Sequence, residues 1–115
     1  MKAFPPTDEL IRLAYVSTLL SHLTDGDVAE LVAEAASKNI SQEITGVLAI
    51  EGNRVCQILE GSREAVEQLF ASILQDDRHN GVTVILNQPI KKSSFDAWGM
   101  VQRKMVDIVI YAMTT

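Results

Sequence analysis

The fold of this chain is decided by one stretch, Ile44-Thr45-Gly46-Val47-Leu48-Ala49-Ile50-Glu51-Gly52-Asn53-Arg54-Val55-Cys56-Gln57-Ile58-Leu59-Glu60-Gly61. Its halves, 44–50 and 54–60, are apolar and typical of strands, and Gly52-Asn53 between them is a tight-turn pair. The stretch therefore predicts a β-hairpin. Alternation along the second strand puts the amide of Gln57 in an otherwise apolar row.

A strand and a helix are predicted before the hairpin. Residues 10–17 alternate with a period of two, which is typical of a strand. One face of that strand carries Ile11, Leu13, Tyr15 and Ser17. The helix that follows is predicted to begin after the N-cap Thr24, and its apolar stripe, spaced at 3.6 residues, ends on Asn39.

A helix and two strands are predicted after the hairpin. The second helix is capped by Gly61-Ser62 and ends near 75–77. The fourth strand covers 81–86, and Pro89 is expected to stop any element that follows Asn87. A short fifth strand is predicted over 98–103.

The predicted order is β-α-β-β-α-β with an additional fifth strand. This is an α+β, ferredoxin-like plan, in which two helices cover one face of a mixed or antiparallel sheet. We expect a single domain, 1–115, with its core at about 10–103 and a C-terminal extension at 104–115. The apolar segment 106–113 of that extension is either an interface or packs on the sheet.

Composition narrows the class of protein. The chain has 115 residues, 47% of them hydrophobic, so it can bury a core without disulfides. A net charge of -5 and the lack of a basic stripe argue against nucleic-acid binding. No apolar run is long enough to span a membrane, and the single cysteine, Cys56, fits a cytoplasmic location. The two histidines have no neighbours at metal-ligand spacing, so no metal site is predicted.

Three polar side chains, Tyr15, Asn39 and Gln57, are predicted to point into the layer between the helices and the sheet. A buried amide without a partner costs roughly 1–3 kcal/mol, so together they indicate a polar group between them. Each alone has an ordinary explanation: a core tyrosine with its hydroxyl at the edge, an asparagine that caps the C-terminus of a helix, and a glutamine at the margin of a sheet. A flat heteroaromatic ligand with carbonyl and N–H groups would satisfy both amides.

Five ordered blocks of sequence span about 10–101. They are Arg12-Leu13-Ala14-Tyr15-Val16-Ser17, Asn39 with Ile44-Thr45-Gly46-Val47-Leu48, Cys56-Gln57-Ile58-Leu59-Glu60-Gly61, Asp76-Asp77-Arg78-His79, and Phe95-Asp96-Ala97-Trp98-Gly99-Met100. In these blocks and their order the chain resembles the BLUF domains, blue-light sensors that bind a flavin.

The resemblance implies FAD between the two helices, with Asn39 and Gln57 hydrogen-bonded to its ring and Tyr15 hydrogen-bonded to Gln57. Blue light then drives electron and proton transfer from Tyr15, Gln57 rearranges, and the absorption shifts to the red without net turnover. The resemblance also implies that Arg78 and His79 lie near the ring. It therefore describes a sensor and not an enzyme.

Further roles follow from the same resemblance. Trp98 and Met100 lie in the segment proposed to relay the signal. The chain departs from the family at Val55, a common aromatic position, at Lys38, a frequent Asn or His, and at Ser72, a frequent Arg. Lys38 is expected to approach the flavin phosphates, since these groups favour a cation.

Two other readings stay open from the sequence. One is a flavin-free ferredoxin-like module that acts only through protein contacts, which the departures at Val55 and Ser72 favour. The other is a hydrolase of the acylphosphatase type, but its anion-binding arginine is missing from 18–24. For the light sensor, output is expected to pass to an unidentified effector protein or through a homo-oligomer.

Overall fold

The computed structural model describes residues 9–92 and the backbone of 99–102. Its elements are β1 (Leu10–Leu19), α1 (Asp25–Ser41), β2 (Thr45–Glu51), β3 (Arg54–Ser62), α2 (Arg63–Leu74), β4 (His79–Ile90) and β5 (Gly99–Gln102). The strand order is β4-β1-β3-β2-β5, antiparallel throughout except that β5 runs parallel to β2. The prediction of two helices with a four-stranded antiparallel sheet is confirmed, and β3, the strand that carries Gln57, lies at its centre.

Both helices begin where the capping signals predicted. The Thr24 hydroxyl accepts a hydrogen bond from the Asp27 N–H at 3.1 Å, and the Asp27 carboxylate accepts one from the Thr24 N–H at 2.9 Å, which completes a capping box. Helix α2 is capped by the Ser62 hydroxyl, which accepts from the Ala65 N–H at 3.2 Å. Neither helix, within the part of the chain described, is long and apolar enough to cross a membrane.

Helix α1 ends in a Schellman motif that fixes the position of Asn39. The N–H of Ile44 bonds the Asn39 carbonyl at 2.8 Å, and the N–H of Glu43 bonds the Ile40 carbonyl at 3.2 Å. Glu43 takes the left-handed conformation this motif requires, with φ 57°. The helix cap is Gln42, so the reading of Asn39 as a C-terminal cap is wrong, and its side chain is left to face the sheet.

The sheet has two different faces. On the face toward the helices, one core cluster consists of Ile11, Leu13, Tyr15, Ile44, Leu59, Val66 and Leu69. On the far face, another consists of Ala14, Val47, Ala49, Cys56 and Ile58. The faces separate as the period-two alternation predicted, since neighbouring residues on a strand point to opposite sides.

Strand β4 is longer than predicted. We expected it to end before Pro89, but it continues through this residue to Ile90. The expectation was wrong because β4 lies at the edge of the sheet, where a proline is tolerated since only one side of the strand must pair. The strand also begins earlier, at His79, and its register against β1 shifts near Gly81, which has φ 65°.

Candidate flavin site

A cleft that is partly open to solvent lies between α1, α2 and the strands β1 and β3. Its apolar walls include Leu31, Ala35, Leu48, Val55, Leu69 and Ile73. Tyr15, Asn39 and Gln57 all line it, so the three side chains that the sequence singled out lie together.

Tyr15 and Gln57 face each other across β1 and β3. They are directly paired in the register, and the Tyr15 hydroxyl donates a hydrogen bond to Oε1 of Gln57. Burial raises the pKa of the Tyr15 phenol well above its ordinary value, and the negative charge of Asp76 raises it further. Tyr15 therefore keeps its proton at neutral pH and presents it to Gln57.

Asn39 is fully buried, with 0% of its surface exposed. Among the described residues, neither Nδ2 nor Oδ1 has a hydrogen-bond partner. Native proteins rarely leave both ends of a buried amide unpaired, because each unmade hydrogen bond costs about 1–3 kcal/mol. An amide with both ends available matches a ligand edge that carries adjacent carbonyl and N–H groups, as the flavin ring does.

Charged side chains surround the mouth of the cleft. Arg78 donates to Asp76 through Nε at 3.0 Å and through an Nη at 2.7 Å, and it reaches Glu34 on α1 at 3.0 Å. The hydrogen bonds from Arg78 lower the pKa of the Asp76 carboxyl to about 2. Lys38 also lines the cleft, one residue before Asn39. The structure thus places Arg78 and Lys38 in the lining of the cleft, with Arg78 already paired to Asp76 and Glu34.

His79 lines the cleft on the side of Tyr15. Its Nδ1 lies 2.9 Å from the Ser17 hydroxyl and its Nε2 lies 2.9 Å from the Ile73 carbonyl oxygen. Neither Ser17 nor Glu34 was among the predicted site residues. For Ser17 a signal was present, since alternation placed it on the same strand face as Tyr15.

The other predicted positions divide into two groups. Val55 and Ser72, where the chain departs from the family pattern, both line the cleft, and the Ser72 hydroxyl donates to the Leu69 carbonyl at 2.9 Å. Trp98 and the side chain of Met100 lie outside the described residues.

Comparisons with known proteins place the chain in a family. The family model described as "BLUF: Sensors of blue-light using FAD" matches residues 10–101. The blue light- and temperature-regulated antirepressor BluF of Escherichia coli (strain K12) is 31% identical over 84 residues, which are 70% of this chain and 21% of that protein. Photoactivated adenylate cyclase subunit alpha of Euglena gracilis is 35% identical over 82 residues, which are 71% of this chain and 8% of that protein.

Solved structures agree with the sequence comparisons. The dark-state structure of BlrB, a BLUF protein, superposes with a TM-score of 0.80 at 28% identity, covering 93% of this chain and 81% of that one. The chain spans only a small part of the curated relatives' length, so the likeness concerns one domain of those proteins. The chain belongs to the BLUF family, the sensors of blue light using FAD.

Proposed function

We propose that FAD binds in the cleft between α1 and α2 and that Asn39 makes its principal polar contact. The observation that carries this assignment is the fully buried amide of Asn39, with Nδ2 and Oδ1 unpartnered among the described residues. The Schellman motif holds its backbone in place, so the amide is positioned before a ligand arrives. Apolar walls on both helices complete a slot for a flat ring.

Tyr15 and Gln57 are the photoactive residues in this proposal. FAD, when bound, supplies the absorption of blue light and accepts an electron and a proton. The phenol of Tyr15 is suited to release both, because it holds its proton in a hydrogen bond to Gln57. The Gln57 amide can then turn and present its donor end in place of its acceptor end at little steric cost. Gln57 is therefore the switch.

Three further residues complete the proposed cofactor site. Lys38 and Arg78 both line the cleft, Lys38 where its charge suits a flavin phosphate and Arg78 where it can approach the pyrimidine end of the ring. His79 lies beside Tyr15 inside the cleft. Val55 and Ser72 leave space where larger side chains are frequent in the family, so the apolar walls and Asn39 are expected to carry more of the affinity.

We infer that the signal leaves the domain toward a separate effector protein. The names of two relatives, an antirepressor regulated by blue light and a photoactivated adenylate cyclase, support such coupling. We assign the relay of the signal to Trp98 and Met100. We also assign β5 as the fifth strand added to the ferredoxin-like plan, and the pairing of its backbone with β2 supports this second assignment. In this proposal the domain is a cytoplasmic, non-catalytic sensor, and its self-association is a second route for output.

Absorption spectra test the proposed function. Purified protein loaded with FAD is expected to be yellow and to show a reversible red shift under blue light. Gln57→Leu should keep the colour and lose the shift, because leucine cannot change its hydrogen bonding, and Tyr15→Phe should abolish the normal cycle. The matched control is Gln68→Leu, the same change at an exposed position of α2, which should shift as the parent does.

Two results would contradict the proposal. Protein that stays colourless and takes up no FAD on reconstitution would favour the flavin-free interaction module. A full red shift in Gln57→Leu would remove Gln57 from its role as the switch, even with FAD bound.

A further inference from the structure

A chain of hydrogen bonds joins three elements behind the Tyr15 ring. The Ser17 hydroxyl on β1 contacts Nδ1 of His79, the first residue of β4, at 2.9 Å. Nε2 of the same ring lies 2.9 Å from the carbonyl oxygen of Ile73, in the last turn of α2. Both ring nitrogens are therefore used within the protein.

The partners of His79 fix its protons. A carbonyl oxygen can only accept, so Nε2 must carry the hydrogen that points to Ile73. In the neutral imidazole Nδ1 is then the acceptor, and the Ser17 hydroxyl donates to it. The two bonds hold the ring in one tautomer and one orientation.

The held imidazole contacts the proposed electron donor. The rings of Tyr15 and His79 meet edge to face, with centroids 6.5 Å apart and planes at 74°. The Phe70 ring packs against Tyr15 as well, with centroids 5.6 Å apart. Tyr15 thus lies between a ring fixed by packing and a ring fixed by hydrogen bonds.

We propose that Ser17 and His79 are positioning residues, which hold the Tyr15 ring in the orientation that directs its hydroxyl to Gln57. The inference rests on the proposed photoactive role of Tyr15. It gives His79 a task other than a direct hydrogen bond to the flavin, since both nitrogens already have protein partners. The same hydrogen bonds connect β1, the strand that carries Tyr15, to the end of α2.

The test measures the quantum yield of the red-shifted form in FAD-loaded protein. Without the Ser17 hydroxyl, Tyr15 is expected to populate other orientations. The loss of one ordinary hydrogen bond changes the ratio of the productive orientation to the others by about threefold or more. Ser17→Ala should therefore lower the yield by about threefold, and Ser17→Thr, which restores the hydroxyl, should return it close to that of the parent. Thr83→Ala removes an exposed hydroxyl from β4 and should leave the yield unchanged.

His79→Phe provides a second route should Ser17→Ala not fold. It keeps an aromatic edge against Tyr15 but removes both hydrogen bonds, so the yield should fall as in Ser17→Ala. The double variant should fall no further, because both changes break one chain of bonds.

Several outcomes would overturn the inference. The first is an unchanged yield in Ser17→Ala, or in His79→Phe if Ser17→Ala does not fold. The second is a yield in Ser17→Thr as low as in Ser17→Ala. The third is a double variant in which the two losses multiply. Long-range ¹H–¹⁵N spectra of the dark protein give an independent check, in which His79 should carry its hydrogen on Nε2. A hydrogen on Nδ1 alone would overturn the inference, whether or not the parent shows a red shift. If His79 has the expected tautomer but the parent shows no red shift under blue light, the proposed function is refuted instead.

Discussion

Strands β1 and β3 carry two buried polar pairs on opposite faces of the sheet. Tyr15 and Gln57 are directly opposite each other on the face toward the helices. Arg12 and Glu60 are directly opposite each other on the far face, with Nε and Oε2 2.6 Å apart and both side chains buried. The two pairs share their strands and their antiparallel register, but they differ in charge and in what surrounds them.

The surroundings distinguish a pair that is complete by itself from the pair in the proposed flavin site. The guanidinium of Arg12 and the carboxylate of Glu60 neutralise each other, so this pair is complementary in charge without a ligand. The Tyr15–Gln57 pair instead lines a cleft beside Asn39, whose amide has no partner among the described residues. A buried polar group therefore points to a ligand when its hydrogen-bonding capacity exceeds what the neighbouring protein provides.

The largest expected effect comes from breaking the far-face pair. Glu60→Leu leaves the buried guanidinium of Arg12 without its carboxylate and should lower the free energy of unfolding by about 3–5 kcal/mol. Urea unfolding followed by circular dichroism measures this change. The double variant Arg12→Met/Glu60→Leu removes both charges and should recover most of the loss. A double variant as unstable as the single one would show that the pair does more than neutralise itself.

The second effect has the opposite sign and concerns the cleft. In FAD-free protein, Asn39→Leu removes an unsatisfied buried amide and should raise the free energy of unfolding by about 1–3 kcal/mol. The same change should weaken FAD binding at least about tenfold, since the polar contact is lost. Urea unfolding and a fluorescence titration with FAD measure the two quantities.

A matched substitution separates this effect from added hydrophobicity. Asn87→Leu makes the same replacement at an exposed position of β4 and should change stability by no more than about 0.5 kcal/mol. Lower stability in Asn39→Leu, with FAD affinity intact, would mean that Asn39 serves the fold and not the ligand.

The smallest effect is expected at the ion pair between Arg78 and Asp76 at the cleft mouth, which is partly exposed, unlike the buried far-face pair. Arg78 lowers the pKa of Asp76 to about 2, below the value of roughly 3.9 in an unfolded chain. The stabilisation is thus complete above the unfolded pKa and is lost as the pH falls through about 2. Because the Asp76 side chain is 27% exposed, solvent screening limits the contribution to about 1 kcal/mol.

Urea unfolding between pH 5 and pH 2 checks this contribution. The parent should lose about 1 kcal/mol more over that interval than Asp76→Asn does. Added salt should reduce the difference, since exposed ion pairs are screened. Equal losses in the two proteins would show that the Asp76–Arg78 pair does not stabilise the fold.

Local signals predicted most of the fold because each acts within a few residues. Thr24 and Ser62 cap the helices at the expected positions, since a cap bonds N–H groups only two or three residues away. The hairpin was predicted because Gly52-Asn53 and the flanking apolar runs are contiguous in sequence. The predicted end of β4 before Pro89 was wrong, because whether a strand tolerates a proline depends on which strands lie beside it.

Which side chains share a face follows from alternation and helical spacing alone, and these patterns directed Tyr15, Gln57 and Asn39 toward one layer. How the polar groups pair is visible only in the folded chain. Tyr15 and Gln57 are 42 positions apart, Arg12 and Glu60 are 48, and Ser17 and His79 are 62. Such contacts depend on strand register and on where each helix packs, which arise from the whole chain folding together.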